Sequence, residues 1–437
     1  MKRCLTVPLV LLVALASVAS AAPLGPKDVK LDGMKLTIVP DRQTVEIAPL
    51  PLKSYQMDNT LKLGTPGWRG PLLLPGPAWA FRSLRPETLV ITLADDPKTR
   101  LVEGTDYVLD PKWGAVAALE SSKIKPGTKL HFEYQYALSR LDLVERTPEG
   151  KIVVRQGTAD KGQPHLPEVT PGNTPLVGVY LPNYATRLSM DMINLIDPAY
   201  DGVPPVTGAE ALKAVKAKLA AGKPATIVFF GDSITAQQPK DFRDRKGSFV
   251  DRFTAYMKEK YPDRKVVVTP KGTAVAPADG QIVIVKAGVG GDDTPRGLRR
   301  IDADVLAHKM DAVVVMFGVN DENGRGGKNN VPVPTYKANL ESIVDKVRAA
   351  GGEPILMTTS MKNLGWSATV GNLAEYAAAA RQVARAKRVC LVDNFRAWEL
   401  LPKRGYNYMV FLGNCINHPI DLGHDLFFRG LKAAFED

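Results

Sequence analysis

Hydrophobic and polar positions change rhythm twice along the chain. From Val29 to about Tyr136 the apolar residues fall in short β-branched or aromatic runs: MKLTIVP at 34–40, TVEIAPL at 44–50, TLVITLA at 88–94, DYVLDPKWGAVAAL at 106–119 and KLHFEYQY at 129–136. Turn residues such as Lys125-Pro126-Gly127 separate them. Short strands broken by turns predict an all-β, sandwich-like domain over 23–156. The next stretch, 157–204, is rich in Pro and Gly and includes GQPHLPEVTPGNTP. It has little periodicity, which predicts a connector running over the surface.

Beyond the connector the rhythm becomes strand, loop, helix. ATIVFF at 225–230 predicts a buried strand, and further strands are expected at 266–269, 282–285, 311–317, 354–359 and 388–392. Helical spacing covers 249–261, 296–308, 336–350 and 373–386. Strands alternating with helices predict a parallel sheet covered on both faces, here over 205–437. Such a sheet carries its site in the loops beyond the C-terminal strand ends.

Composition changes this picture little: 45% apolar and 24% charged residues fit a folded, soluble protein. The N-terminus changes it more. Lys2 and Arg3, an apolar run from Leu5 to Ala16 and small residues ending near Ala22 predict a cleaved signal peptide over 1–22, hence a secreted or periplasmic protein. The run is too short to span a bilayer, and no later stretch is long enough, so no transmembrane span is expected after cleavage. Losing Lys2 and Arg3 lowers the net charge from +11 to +9, an excess compatible with acidic glycans. No basic run with interleaved aromatics points to nucleic acid. Cys390 and Cys415 remain after cleavage; a disulfide and two buried thiols both fit. With few histidines and no C-x-x-C spacing, neither a metal nor another cofactor is expected.

Four short motifs carry candidate chemistry, three of them directly after strands. Gly231-Asp232-Ser233 ends the ATIVFF strand, which puts a serine on an exposed turn where an oxyanion is favoured. Ala287-Gly288-Val289-Gly290-Gly291-Asp292 follows the next strand, and glycines let a backbone N–H approach a reacting oxygen. Gly318-Val319-Asn320-Asp321 offers an amide donor at a third strand end. Asn417-His418-Pro419 and Gly423-His424 supply the histidines best placed to act as a base, because His131, His165 and His308 lie outside the motifs. Each motif alone also fits an ordinary turn or a structural histidine.

Taken together, in this order, the motifs resemble the SGNH, or GDSL-type, hydrolase superfamily over roughly Ala225 to the C-terminus. The resemblance implies a flavodoxin-like three-layer sandwich and a carboxylic ester hydrolase. It implies that Ser233 is the nucleophile, that Ser233, Gly291 and Asn320 form the oxyanion hole, and that His418 is the base. Lys286 stands where the family commonly has Asn, and Cys415 where it has the Asp that orients the histidine. That departure leaves two arrangements open. Asp421 and His424 could be the working pair, or the site is a Ser233–His418 dyad whose ring is held by a backbone carbonyl or by Asn414, acting as a neutral acceptor.

Export, a β-rich front and the missing Asp are similar to two-domain carbohydrate esterases, which implies an acylated, most simply acetylated, carbohydrate as substrate. A lipolytic esterase or thioesterase and a glycan-binding protein with a degenerate SGNH domain are the alternatives. Tyr107, Trp113, Trp68 and Trp79 could stack on sugars, but fit a sandwich core as well.

Overall fold

The computed structural model describes residues 22–57, 61–62, 72–74, 76–120, 122–124, 128–273 and 276–436. The expected signal segment up to residue 21, the turn at 125–127 and Trp68 lie outside the described residues.

The N-terminal region is all-β and built of antiparallel sheets. Its hydrophobic residues gather in two cores. Leu84, Ile91, Phe132 and Tyr134 belong to one, whereas Leu36 and Ile38 of the first hairpin join Val144, Val177 and Val179 in the other. The second core corrects the expectation for 157–204. Thr174–Leu181 is a central strand, paired with Arg140–Arg146 on one side and Ile193–Leu195 on the other. Pro175 and Gly178 had obscured its pattern. Gly178 is required because a Cβ there would run into the Gly405 carbonyl, so the strand gives up a side chain to let the C-terminal half pack against it.

A seven-stranded sheet organises the C-terminal half. Its strands are β1 (Val206–Thr207), β2 (Ala225–Gly231), β3 (Lys265–Pro270), β4 (Gln281–Gly288), β5 (Ala312–Met316), β6 (Glu353–Met357) and β7 (Cys390–Val392). They lie in the order β1-β7-β6-β5-β2-β4-β3, all parallel except β1, which runs antiparallel to β7. Layers of helices cover both faces. Ile227 and Phe229 enter one core and Val228 and Phe230 the other, so β2 is apolar throughout instead of alternating. Burying each of its two phenylalanines contributes about 2–3 kcal/mol. The region is therefore α/β with a parallel sheet, preceded by an all-β region.

Register places the site. Gly231 of β2 pairs with Gly288 of β4 and with Met316 of β5, so three adjacent strands end level. The loops bearing Ser233, Gly291 and Asn320 thus leave one edge of the sheet at its topological switch point.

Candidate active site

Gly231 is where the β2 chain turns, and only glycine fits, because a Cβ would meet Thr235 Oγ1 and the Met316 carbonyl. Asp232 caps the short helix Ser233–Ala236 by accepting from the Ile234 N–H at 2.9 Å. Ser233 opens that helix with its N–H at the positive end of the turn. Burial pushes the Asp232 carboxyl up to about 7 against this hydrogen bond, with Asp321 and Asp292 adding to the rise. Its task is thus to hold the turn.

Gly291 sits at φ +76°, a left-handed backbone that suits glycine. Asn320 reaches that loop, its Nδ2 donating to the Asp292 carbonyl at 2.8 Å, while its Oδ1 accepts from Asn323 Nδ2 at 3.3 Å. The oxyanion candidates therefore stand on loops tied to one another. Lys286 pairs with Asp251 at 2.7 Å.

His418 and Ser233 come together across 185 residues of sequence: His418 Nε2 lies 2.7 Å from Ser233 Oγ. Burial pushes the His418 imidazole below its ordinary range, with the nearby Asp241 carboxylate pulling the other way. Behind the ring, Asn414 Nδ2 lies 3.2 Å from His418 Nδ1. Here the expectation of a neutral acceptor is corrected. The group facing Nδ1 is an amide nitrogen, and the loop's own geometry imposes it, since Asn414 Oδ1 already accepts the backbone N–H groups of Ile416, Asn417 and His418. Cys415 is no substitute for the missing acid, because its Sγ turns to the Lys161 carbonyl at 3.7 Å. Both Cys390 and Cys415 are buried free thiols.

Asp421 and His424 do not pair with each other. Asp421 Oδ1 accepts from the Arg243 and Asp244 N–H groups, at 3.0 and 3.3 Å. His424 is fully buried between Phe242, Phe249 and Phe427; its Nδ1 accepts from the Phe249 N–H at 3.0 Å and its Nε2 bonds to Gln237 Oε1 at 2.9 Å.

Two supports went unread in the sequence. Arg300 donates to the carbonyls of Gly231 and Ala287 at 2.9 and 2.8 Å and pairs with Asp292 at 2.6 Å, so one guanidinium braces both the serine turn and the glycine loop. Lys362 and Glu322 form a buried ion pair, and Lys362 Nζ also donates to Asn323 Oδ1 at 2.6 Å, next to Asn320. Burial lowers the Lys362 ammonium from its ordinary range while Glu322 pulls it up. Glu322 and Asn323 follow the Asn320-Asp321 motif directly, a signal that could have been followed; nothing local marks Arg300 or Lys362.

The cleft at Ser233 encloses about 450 Å³ and is walled by Ala236, Gln237, Asp241, Gly290, Asn414 and Ile420. A larger cavity of about 560 Å³ lies at the junction of the two halves, and Cys415, the neighbour of Asn414, lines it.

Residues 229–426 match the model of the GDSL-like Lipase/Acylhydrolase family. The C-terminal half of the chain belongs to that family. An uncharacterised lipoprotein of Bacillus subtilis (strain 168) is 32% identical over 133 residues, which is 30% of this chain and 47% of that protein. The chain thus spans about half the length of this curated relative. It is also similar to the solved structure of a lipase/acylhydrolase from Enterococcus faecalis, at 25% identity and a TM-score of 0.35 over 47% of this chain and 93% of that one. An acetylxylan esterase from Geobacillus stearothermophilus is 20% identical, with a TM-score of 0.38 over 49% and 94% of the two chains.

Proposed function

We propose that the chain is an exported carboxylic ester hydrolase in which Ser233 attacks the ester carbonyl, His418 takes its proton, and the N–H donors of Ser233, Gly291 and Asn320 hold the oxyanion. The 2.7 Å contact between Ser233 and His418 carries this reading. Water then releases the acyl group from the serine. Short or polar cleft walls, Ala236, Gln237 and Asp241, suit a small acyl group such as acetyl. A carbohydrate alcohol fits the junction cavity, where the rings of Phe81, Tyr184 and Tyr408 stand among the amides of Asn183, Asn363 and Asn407. Export rests on Lys2, Arg3 and the apolar run after them, and the Bacillus relative is titled a lipoprotein. No helix among the described residues is long and apolar enough to cross a membrane.

Replacing Ser233 by Ala lowers aryl acetate hydrolysis by roughly 10²-fold or more and abolishes covalent labelling by a fluorophosphonate. Unchanged hydrolysis by the Ser233→Ala protein would refute the assignment. A second reading, a non-catalytic glycan-binding protein, draws on one observation: an amide stands behind His418 where an acid would be expected. A folded wild-type protein that a fluorophosphonate fails to label at Ser233 would favour it.

A further inference from the structure

We propose that Asn414 holds His418 in the tautomer protonated on Nε2, so that the resting imidazole donates to Ser233 Oγ and Asn414 throttles the site. This rests on the reading of Ser233 and His418 as the reacting pair. An amide's two ends are ordinarily assigned from their hydrogen bonds, and here those bonds leave one solution. Asn414 Oδ1 accepts three backbone N–H groups at 2.9, 2.9 and 3.0 Å, and a flipped amide would aim its own hydrogens at all three donors. Nδ2 then spends one hydrogen on Asn417 Oδ1 at 3.1 Å and the other on His418 Nδ1 at 3.2 Å. A nitrogen that accepts carries no proton, so the proton of the neutral ring is on Nε2, 2.7 Å from Ser233 Oγ.

The consequence is chemical. For attack, the Ser233 Oγ–H bond breaks as an Nε2–H bond forms and Oγ bonds to the carbonyl carbon, whose π pair moves to oxygen. Nε2 must be bare beforehand. That requires the ring proton to sit on Nδ1, where it would face the Asn414 N–H with no acceptor between them. The imidazolium formed in the step meets the same donor. In the Ser-His-Asp enzymes the acid's work is to fix the tautomer and steady the imidazolium, and an amide in its place costs about 10⁴-fold. Asn414 keeps the loop folded through its oxygen and disfavours the base through its nitrogen.

The test is Asn414→Asp in the full chain. A carboxylate keeps an oxygen for the three N–H groups and offers the other to Nδ1–H. Aryl acetate kcat/KM should rise about 10³–10⁴-fold. The acid limb of its pH profile should also move up, because an anion then joins Asp241 beside the ring, while His424 on the last helix is unchanged. Ser233→Ala should cost roughly 10² in the wild type and roughly 10⁵–10⁶ in the Asn414→Asp background, since triad members act as a unit. Independently of activity, ¹⁵N NMR of the wild-type chain, with His418 assigned by its loss in His418→Gln, should show Nε2 protonated and Nδ1 bare. A wild-type spectrum with Nδ1 protonated overturns the proposal, even if Asn414→Asp does not fold. So does a folded Asn414→Asp protein with unchanged rate and acid limb. If Ser233→Ala leaves hydrolysis intact, the esterase reading fails, while the spectrum still decides the tautomer.

Discussion

Two histidines six residues apart, on neighbouring stretches, place the same side chain under opposite conditions. In the loop 414–418, His418 is half-buried at a cleft, with one ring nitrogen on a serine hydroxyl and the other on an amide of fixed polarity. In the helix opening 421–427, His424 is caged by phenylalanines, with one nitrogen on a backbone N–H and the other on Gln237. Burial lowers the proton affinity of both rings, so depressed basicity does not distinguish a reacting histidine from a structural one. The distinction lies in what the second nitrogen meets: a group that can react, or one that only completes the scaffold.

The largest expected effect separates them through stability. His424→Ala opens a cavity among Phe242, Phe249 and Phe427 and strands the Phe249 N–H, a loss of roughly 3–5 kcal/mol. His418→Ala at the cleft should cost about 1 kcal/mol of stability or less. Denaturant midpoints at constant slope measure both, and equal losses would erase the comparison. Activity should invert the order. His418→Ala lowers kcat/KM by roughly 10²-fold, about 2.7 kcal/mol, from a starting point already reduced by Asn414.

A third variant moves the comparison from the histidines to their scaffold. Arg300→Met removes the donor shared by the Gly231 and Ala287 carbonyls, takes the cation from Asp292 and leaves Asp304 to Lys271 at 3.6 Å. Loosening both oxyanion loops should lower kcat by about 10-fold, with KM nearly unchanged. A change confined to KM would mean that Arg300 serves binding instead.

The C-terminal sheet was legible because buried parallel strands are continuous apolar runs, and ATIVFF and DAVVVMF read as such. The strand Thr174–Leu181 was not, because Pro175 and Gly178 break its pattern, Gly178 for the sake of a contact with Gly405, more than two hundred residues away. The same divide runs through the site. Gly291 was readable because its left-handed backbone demands glycine, and Gly231 because it sits in the Gly-Asp-Ser turn, although the contact that excludes a side chain there comes partly from Met316 on another strand. Arg300 and Lys362 act through partners that only the fold brings near. Asn414 lay between: its identity was visible, but which end of its amide faces His418 depends on three N–H groups that only the folded loop aims.

The smallest effect concerns protons. His418 accepts a proton only when neutral, and burial moves its affinity below the ordinary imidazole range, so the acid limb of wild-type kcat/KM should fall below pH of about 6.5. Asp241 opposes that shift, and Asp241→Asn should move the limb lower still; a limb that rises would mean that Asp241 does not act through charge. His424 should leave its mark on stability instead. Its folded affinity is depressed, so its contribution is present above the unfolded value of about 6.5 and is lost as pH falls below it, when the unfolded chain takes up the proton first. Asp232, raised to about 7, works in the opposite sense, contributing most at low pH and losing that contribution as pH rises through its folded value. The total slope therefore mixes signs. The difference between wild type and His424→Phe does not: below pH of about 6.5 the wild type should lose stability faster. Parallel curves would show that the buried ring takes up its proton without opening the cage, and the contrast between the two histidines would then rest on Ser233 alone.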